Sequence, residues 1–97
     1  AEAFARAGFG DLRVATPLAA ASAARVAALA AGGTRVSCSV DTEAGAHVLS
    51  DAFATAGAEA DVLVEIDTGH GRCGVPWDDP EAVALAAHAA SLPGLRL

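Results

Sequence analysis

Two short segments of the chain alternate between apolar and polar residues, the first strictly and the second with Leu63 as an exception. In RVSCSV (35–40), Val36, Cys38 and Val40 share one side and the serines share the other. The same two-residue period runs through DVLVEID (61–67). This period is typical of a β-strand with one face buried, so we predict a strand at each place. DLRVATPL (11–18) predicts a further strand, and the terminal LRL a fourth.

Helical patterns separate these strands. Apolar residues recur every three or four positions in 22–33, which ends in a glycine pair, and again in 43–57. The sequence Asp-Pro-Glu at 79–81 is typical of a helix start, since proline suits the first turn and an acid complements the helix dipole. Leu-Pro-Gly at 92–94 predicts the end of that helix.

Strands that alternate with helices predict a parallel sheet and an α/β fold. Parallel strands covered by helices on both faces usually form continuous apolar runs, whereas these strands keep one polar face. A polar face suits the interior of a barrel, so we predict part of a (β/α)8 TIM-type barrel with about four parallel strands and intervening helices. Asp41, Glu65 and Asp67 then lie near the carboxyl ends of their strands, where such folds carry their chemistry.

Composition narrows the classes of function. The chain has 97 residues, 54% of them hydrophobic, which suits one domain or a piece of one. A net charge of -6 argues against nucleic acid or an anionic membrane as partner. With neither a signal peptide nor a membrane-spanning run, we expect a cytoplasmic protein. The chain contains no lysine, and its two cysteines are expected to stay unpaired.

The glycine-rich run 69–74 (GHGRCG) invites three interpretations of its chemistry. A phosphate-binding loop is disfavoured because neither Lys-Ser/Thr nor a helix follows directly. A zinc site through His70 and Cys73 is disfavoured because the sequence lacks the paired Cys or His spacing that would complete a set of ligands. A thiol active site, with Cys73 as nucleophile and His70 as base, requires a geometry that sequence spacing cannot establish. His47 and His88 lie within predicted helices, where we expect surface or packing roles.

Glu65 is the more informative residue because a carboxylate facing a barrel interior is costly unless it is paired. Arg72 is the nearest cation in the loop that follows, so we expect the two side chains to pair. That pairing is compatible with a purely structural role. Asp41 and Thr42 are both candidate N-caps for the helix that begins near residue 43.

The segment EIDTGHGRCGV (65–75) resembles the strand and loop of fold-type III pyridoxal-phosphate (PLP) enzymes, the alanine-racemase-like barrels. Within that group it is most similar to the D-threonine aldolase and D-serine dehydratase branch. The ordered surroundings strengthen the resemblance: a strand like DLRVATPL, a helix containing ARVAAL, a strand ending in Val-Asp, and the closing LPGLRL.

The resemblance implies roles for two residues. Arg72 matches the arginine that donates a hydrogen bond to the 3′-oxygen of PLP, so it is our candidate catalytic and cofactor-binding residue. Glu65 occupies a position where alanine racemases have a lysine that orients this arginine, and it is our second cofactor-binding candidate. A glutamate there disfavours racemase activity. Asp67 and Thr68 match positions of structural support.

The resemblance also implies that residues 1–97 are a central part of the PLP-binding barrel domain, about strands three to six of eight. The lysine that holds PLP would lie upstream, and a C-terminal β-domain with divalent-metal ligands would lie downstream, so we expect no metal ligand within the chain and an inactive isolated fragment. The implied activity of the full-length protein is a lyase acting on small D-3-hydroxy amino acids, as a homodimer. D-Serine dehydratase, an amino acid racemase and a non-catalytic PLP-binding or interaction module are the alternatives.

Overall fold

A computed structural model describes all 97 residues of the chain. None of its helices has the length and apolar character needed to cross a membrane. The helices are α1 (Glu2–Arg6), α2 (Ala20–Ala31), α3 (Glu43–Ala56) and α4 (Glu81–Ser91). The strands are β1 (Asp11–Val14), β2 (Arg35–Val40), β3 (Ala60–Val64), β4 (Ile66–Asp67), β5 (Val75–Pro76) and β6 (Leu95–Arg96).

Four strands form one parallel sheet in the order β1-β2-β3-β6, and β4 and β5 form a separate parallel pair. The order of neighbours follows the order in the chain, as right-handed βα units arranged side by side require. The predicted α/β class, with four parallel strands and helices between them, is confirmed.

Two predicted strands differ in extent from the observed ones. β1 ends at Val14 rather than at residue 18, because Pro17 has no N–H to donate to a ladder and restricts the residue before it. The segment predicted as one strand over 61–67 is divided at Glu65 into β3 and β4. The short α1 and the β4-β5 pair were not predicted at all.

The two faces of the sheet differ as the alternation predicts. Val36, Cys38, Val40 and Val62 are buried beneath the helices. The opposite face is polar and more open to solvent, although Ser39 is buried on it and accepts a hydrogen bond from the Arg13 guanidinium at 3.3 Å. The polar face therefore has the character expected of a barrel interior.

The core lies between the sheet and helices α2, α3 and α4. Phe53 of α3 is its largest fully buried side chain. Where α4 ends, the Ser50 hydroxyl donates to the carbonyl of Pro93 at 2.6 Å and so fixes the start of β6 against α3. Thirteen buried residues make up this cluster: Ala23, Val26, Ala27, Val36, Cys38, Val40, Ala46, Leu49, Phe53, Ala60, Val62, Ala89 and Leu95.

The start of α3 resolves the choice between two candidate caps. Thr42 is the N-cap, and its hydroxyl accepts a hydrogen bond from the N–H of Gly45 at 3.0 Å. Asp41 does not cap the helix, and its carboxylate is used elsewhere. At the other end, Gly57 takes a left-handed conformation (φ 67°) and terminates α3.

Charged side chains form a row across the polar face at the amino ends of the strands. Asp61 of β3 accepts hydrogen bonds from the Nε atoms of Arg96 at 2.7 Å and Arg35 at 2.9 Å. At the edge of this row, the Oδ2 atom of Asp11 lies 3.8 Å from the Nη1 atom of Arg35. Hydrogen bonds from Arg96 and Arg35 hold the pKa of the Asp61 carboxyl below its usual value.

Two histidines meet between α3 and α4. The Nε2 atoms of His47 and His88 are 3.0 Å apart, and their ring centroids are 4.9 Å apart. One ring must donate and the other accept, so the pair is an interhelical hydrogen bond at the surface. Both residues were expected at the surface or in packing, but their contact was not predicted.

Candidate functional site

A cavity of about 200 Å³ lies beside the junction between β3 and β4. Residues 68–74, which connect β4 to β5, form part of its wall, and we call this segment the arginine loop. The cavity lies on the carboxyl side of β3, the side where parallel α/β folds place their chemistry. Seven residues line it: Glu65, Ile66, Asp67, Thr68, His70, Arg72 and Cys73.

Glu65 is the point at which the chain changes partners. Its N–H donates to the carbonyl of Val40 in β2 at 2.8 Å, and its own carbonyl accepts from the N–H of Val75 in β5 at 2.9 Å. The backbone therefore leaves the main sheet at Glu65 and pairs with the strand that follows the arginine loop. This exchange of partners divides the predicted strand, and it brings both ends of the loop together.

Asp67 fastens the first half of the arginine loop. Its Oδ1 accepts hydrogen bonds from the N–H groups of Gly69 at 2.9 Å and Gly71 at 3.1 Å. Hydrogen bonds from Gly69 and then Gly71 hold the pKa of the Asp67 carboxyl below its usual value. The loop is thus closed on an ionised carboxylate, as expected for an Asx-type turn.

Gly74 closes the loop against the backbone of β4. Its φ is +106°, a conformation that side-chain-bearing residues rarely adopt. A Cβ at this position would lie 2.7 Å from the nitrogen of Asp67 and 2.8 Å from the carbonyl carbon of Ile66. The close approach of the two backbone segments therefore requires glycine.

Asp41 fastens the second half of the loop. This half-buried residue follows β2, and its Oδ2 accepts a hydrogen bond from the N–H of Gly74 at 3.1 Å across 33 positions of sequence. Its expected role as a candidate helix cap was wrong. The contact could not be predicted because its two residues are far apart in the sequence. The one signal in the sequence was the position of Asp41 directly after an apolar strand.

Glu65 and Arg72 line the same cavity, but the predicted pairing between them is not formed. Their side chains make no hydrogen bond or ion pair with each other or with any other residue. Glu65 is half-buried and Arg72 is exposed, so water can solvate both charges. The Arg72 guanidinium keeps its full donor capacity for an external anion.

His70 and Cys73 also line the cavity, and Cys73 is half-buried. No group of three or more His, Cys, Asp or Glu side chains in the chain is arranged to hold a metal ion. The other thiol, Cys38, is buried in the core, and burial raises its pKa to about 11. The cavity is also lined by the carboxylates of Glu65 and Asp67, and Asp67 already accepts two hydrogen bonds from the loop. Its side-chain donors are the Arg72 guanidinium and the His70 imidazole, and the guanidinium suits an anionic group of a ligand.

Comparison with known proteins agrees with this geometry. The family model for the alanine racemase N-terminal domain matches residues 1–97. The chain is 48% identical over 61 residues to D-threonine aldolase from an Arthrobacter species, covering 63% of the chain and 16% of that enzyme. It is 40% identical over 96 residues to 3-hydroxy-D-aspartate aldolase from Paracoccus denitrificans, covering 98% of the chain and 24% of that enzyme.

A solved structure shows the same fold. D-Threonine aldolase from Filomicrobium marinum superposes with a TM-score of 0.92 at 37% sequence identity, over 99% of the chain and 26% of that enzyme. The predicted TIM-barrel-type fold class is thereby confirmed. The chain spans about a quarter or less of the length of the relatives it matches.

Proposed function

The chain belongs to the alanine racemase N-terminal domain family, and we propose that it is the central part of a PLP-dependent aldolase that cleaves D-3-hydroxy amino acids. The observation that carries the proposal is the similarity to two aldolases whose substrates are both D-amino acids with a hydroxyl group on C3. In such a cleavage the Cα–Cβ bond breaks, the hydroxyl-bearing carbon leaves as an aldehyde, and D-threonine gives glycine and acetaldehyde.

The donor set of the cavity fits PLP. Arg72 is an exposed guanidinium without an internal partner, and it would donate charge-assisted hydrogen bonds to the 3′-oxygen of the cofactor. When bound, PLP supplies the electron sink that this bond cleavage requires. The carboxylates of Asp41 and Asp67 hold the loop that presents Arg72.

Glu65 places a negative charge in the same cavity without touching Arg72. We assign it the task of biasing the Arg72 guanidinium toward the cavity by Coulomb attraction across solvent, which is a weaker restraint than an ion pair. In alanine racemases the resemblance places at this position a lysine that orients the arginine, so a glutamate here favours cleavage over racemisation.

The proposal extends to the remainder of the protein. The lysine that holds PLP would precede residue 1, and the C-terminal domain with its divalent metal would follow residue 97. A homodimeric assembly and a cytoplasmic location belong to the same proposal. The net charge of -6 supports a partner that is a small molecule and not a nucleic acid.

The test is a product assay on the full-length protein loaded with PLP. We expect D-threonine to give equal amounts of glycine and acetaldehyde, and 3-hydroxy-D-aspartate to give glycine and glyoxylate. Formation of 2-oxobutanoate and ammonia from D-threonine would instead indicate a dehydratase, and inversion at Cα without cleavage a racemase. Bound PLP with no product of any kind would indicate a non-catalytic PLP-binding module.

A further inference from the structure

We infer that Asp41 is a positioning residue for Arg72: by holding the N–H of Gly74 it fixes the arginine loop and so determines where the guanidinium meets the cofactor. The inference rests on the proposed function for the identity of the ligand. Its structural part, that Asp41 immobilises the loop, stands independently of that function.

The contact is the loop's sole side-chain link to the main sheet. Three N–H groups of residues 68–74 donate hydrogen bonds to side chains: two donate to Asp67 at the base of the loop, and the third donates to Asp41. Asp41 follows β2, the strand at the centre of the parallel sheet with β1 on one side and β3 on the other. The loop is therefore tied through one carboxylate to a rigid element.

The two carboxylates bracket Arg72. The N–H of Gly71, one residue before it, donates to Asp67 at 3.1 Å, and the N–H of Gly74, two residues after it, donates to Asp41 at 3.1 Å. A stretch of four residues held at both ends leaves the Arg72 backbone little freedom to shift. The three glycines of this loop allow its backbone many conformations. The hydrogen bonds to Asp67 and Asp41 therefore restrain the loop to one of them.

The acceptor is used in a half-buried setting, where a lost partner is expensive. If Asp41 is replaced by alanine, the N–H of Gly74 keeps its close packing against Asp67 but has no acceptor. In this half-buried setting a water can take the place of the carboxylate as acceptor, but a water is not fixed to β2, so the loop is no longer held to the sheet and can shift. Arg72 would then move with it, and small displacements of a positioning group are known to have large effects on binding and turnover.

The experiment compares three variants of the full-length protein: Asp41→Ala, Asp41→Asn and Thr42→Ala. Asparagine retains an acceptor oxygen of the same reach, whereas alanine does not. Thr42→Ala is the matched control, since it weakens the cap of α3 at the adjacent position without touching the arginine loop. Two quantities are measured: the Kd for PLP, and hydrogen–deuterium exchange of the peptide covering residues 68–76.

We expect Asp41→Ala to weaken PLP binding by about tenfold, the effect of losing one hydrogen bond to a charged group. Exchange in 68–76 should accelerate by a similar factor. Asp41→Asn should retain PLP binding to within about threefold, and Thr42→Ala should change neither quantity. Wild-type affinity in Asp41→Ala, or an equal loss in Thr42→Ala, would overturn the positioning role.

The exchange measurement separates this inference from the proposed function. If the wild-type protein binds no PLP, the proposed function fails, and the loop-fixing role of Asp41 is then decided by exchange alone. Unchanged exchange in Asp41→Ala would overturn it whatever the cofactor result. Faster exchange in Asp41→Ala, restored by Asp41→Asn, would support it.

Discussion

Gly74 gives the sharpest test of how the arginine loop is held. In Gly74→Ala the new Cβ would lie 2.7 Å from the backbone nitrogen of Asp67 and 2.8 Å from the carbonyl carbon of Ile66. Both are backbone atoms of β4, so no flexible side chain can move aside to relieve the clash. The residue would also have to keep a φ of +106°, which alanine rarely adopts.

The magnitude follows from these two effects. Holding a residue with a side chain in a sparsely populated backbone region costs about 1–3 kcal/mol. Forcing an additional methyl into a filled space costs about 1–3 kcal/mol more. We therefore expect Gly74→Ala to lower the free energy of unfolding by about 2–6 kcal/mol, a large part of the 5–15 kcal/mol typical of a domain.

Gly71→Ala is the matched control within the same loop. Gly71 also has a positive φ, +65°, but a Cβ there would meet nothing within 4 Å. Only the backbone term remains, so we expect a loss of about 1–2 kcal/mol. The measurement is urea unfolding of both variants followed by far-UV circular dichroism. Equal destabilisation by the two substitutions would refute the claim that the loop packs closely against β4.

Two further predictions concern the sheet and the core. Hydrogen bonds from Arg96 and Arg35 lower the folded-state pKa of Asp61, so its stabilising contribution is complete above the unfolded value of 3.8 and is lost as the pH falls through the lower folded value. Asp61→Asn should therefore reduce the urea midpoint at pH 7 but lose less further stability than wild type on acidification to pH values below 3.8; an unchanged acid profile would contradict this account. For the thiols, Ellman's reagent at pH 8 should modify half-buried Cys73 well before Cys38, because burial raises the pKa of Cys38 to about 11. The two rates are measured separately, that of Cys38 in a Cys73→Ser variant and that of Cys73 in a Cys38→Ala variant. A faster reaction of Cys38 would contradict its burial in the core.

The sequence was sufficient for features that depend on local periodicity. The alternation in 35–40 predicted both the bounds of β2 and its buried face, because a side-chain period of two is a direct consequence of strand geometry. The start of α3 was predicted to within one position, because Asp41 and Thr42 were both candidate N-caps and Thr42 is the one that caps the helix. The polar face of these strands indicated a barrel in preference to a doubly wound sheet, and the resemblance of residues 65–75 then indicated the family.

Contacts across the sequence were not accessible in the same way. From the sequence alone, Asp41 was expected at a helix start. Its hydrogen-bond partner, Gly74, is 33 positions away and becomes a neighbour only in the folded chain, where the end of β2 lies beside the arginine loop. His47 and His88 meet across 41 positions for the same reason. The expected pair of Glu65 and Arg72 failed in the opposite sense: the residues share a cavity, but solvent exposure of the arginine removes the need for an ion pair.

The most direct test of the account is the rate of glycine formation from D-threonine by an Arg72→Ala variant of the full-length protein. Arg6→Ala is the control, since Arg6 lies on α1 and makes no side-chain hydrogen bond or ion pair. Losing a charge-assisted hydrogen bond to the cofactor predicts a fall in kcat/KM of about ten- to a hundredfold, with weaker PLP retention and an unchanged circular dichroism spectrum. Wild-type turnover and PLP retention in Arg72→Ala would contradict the central claim that the arginine loop contacts the cofactor of an aldolase.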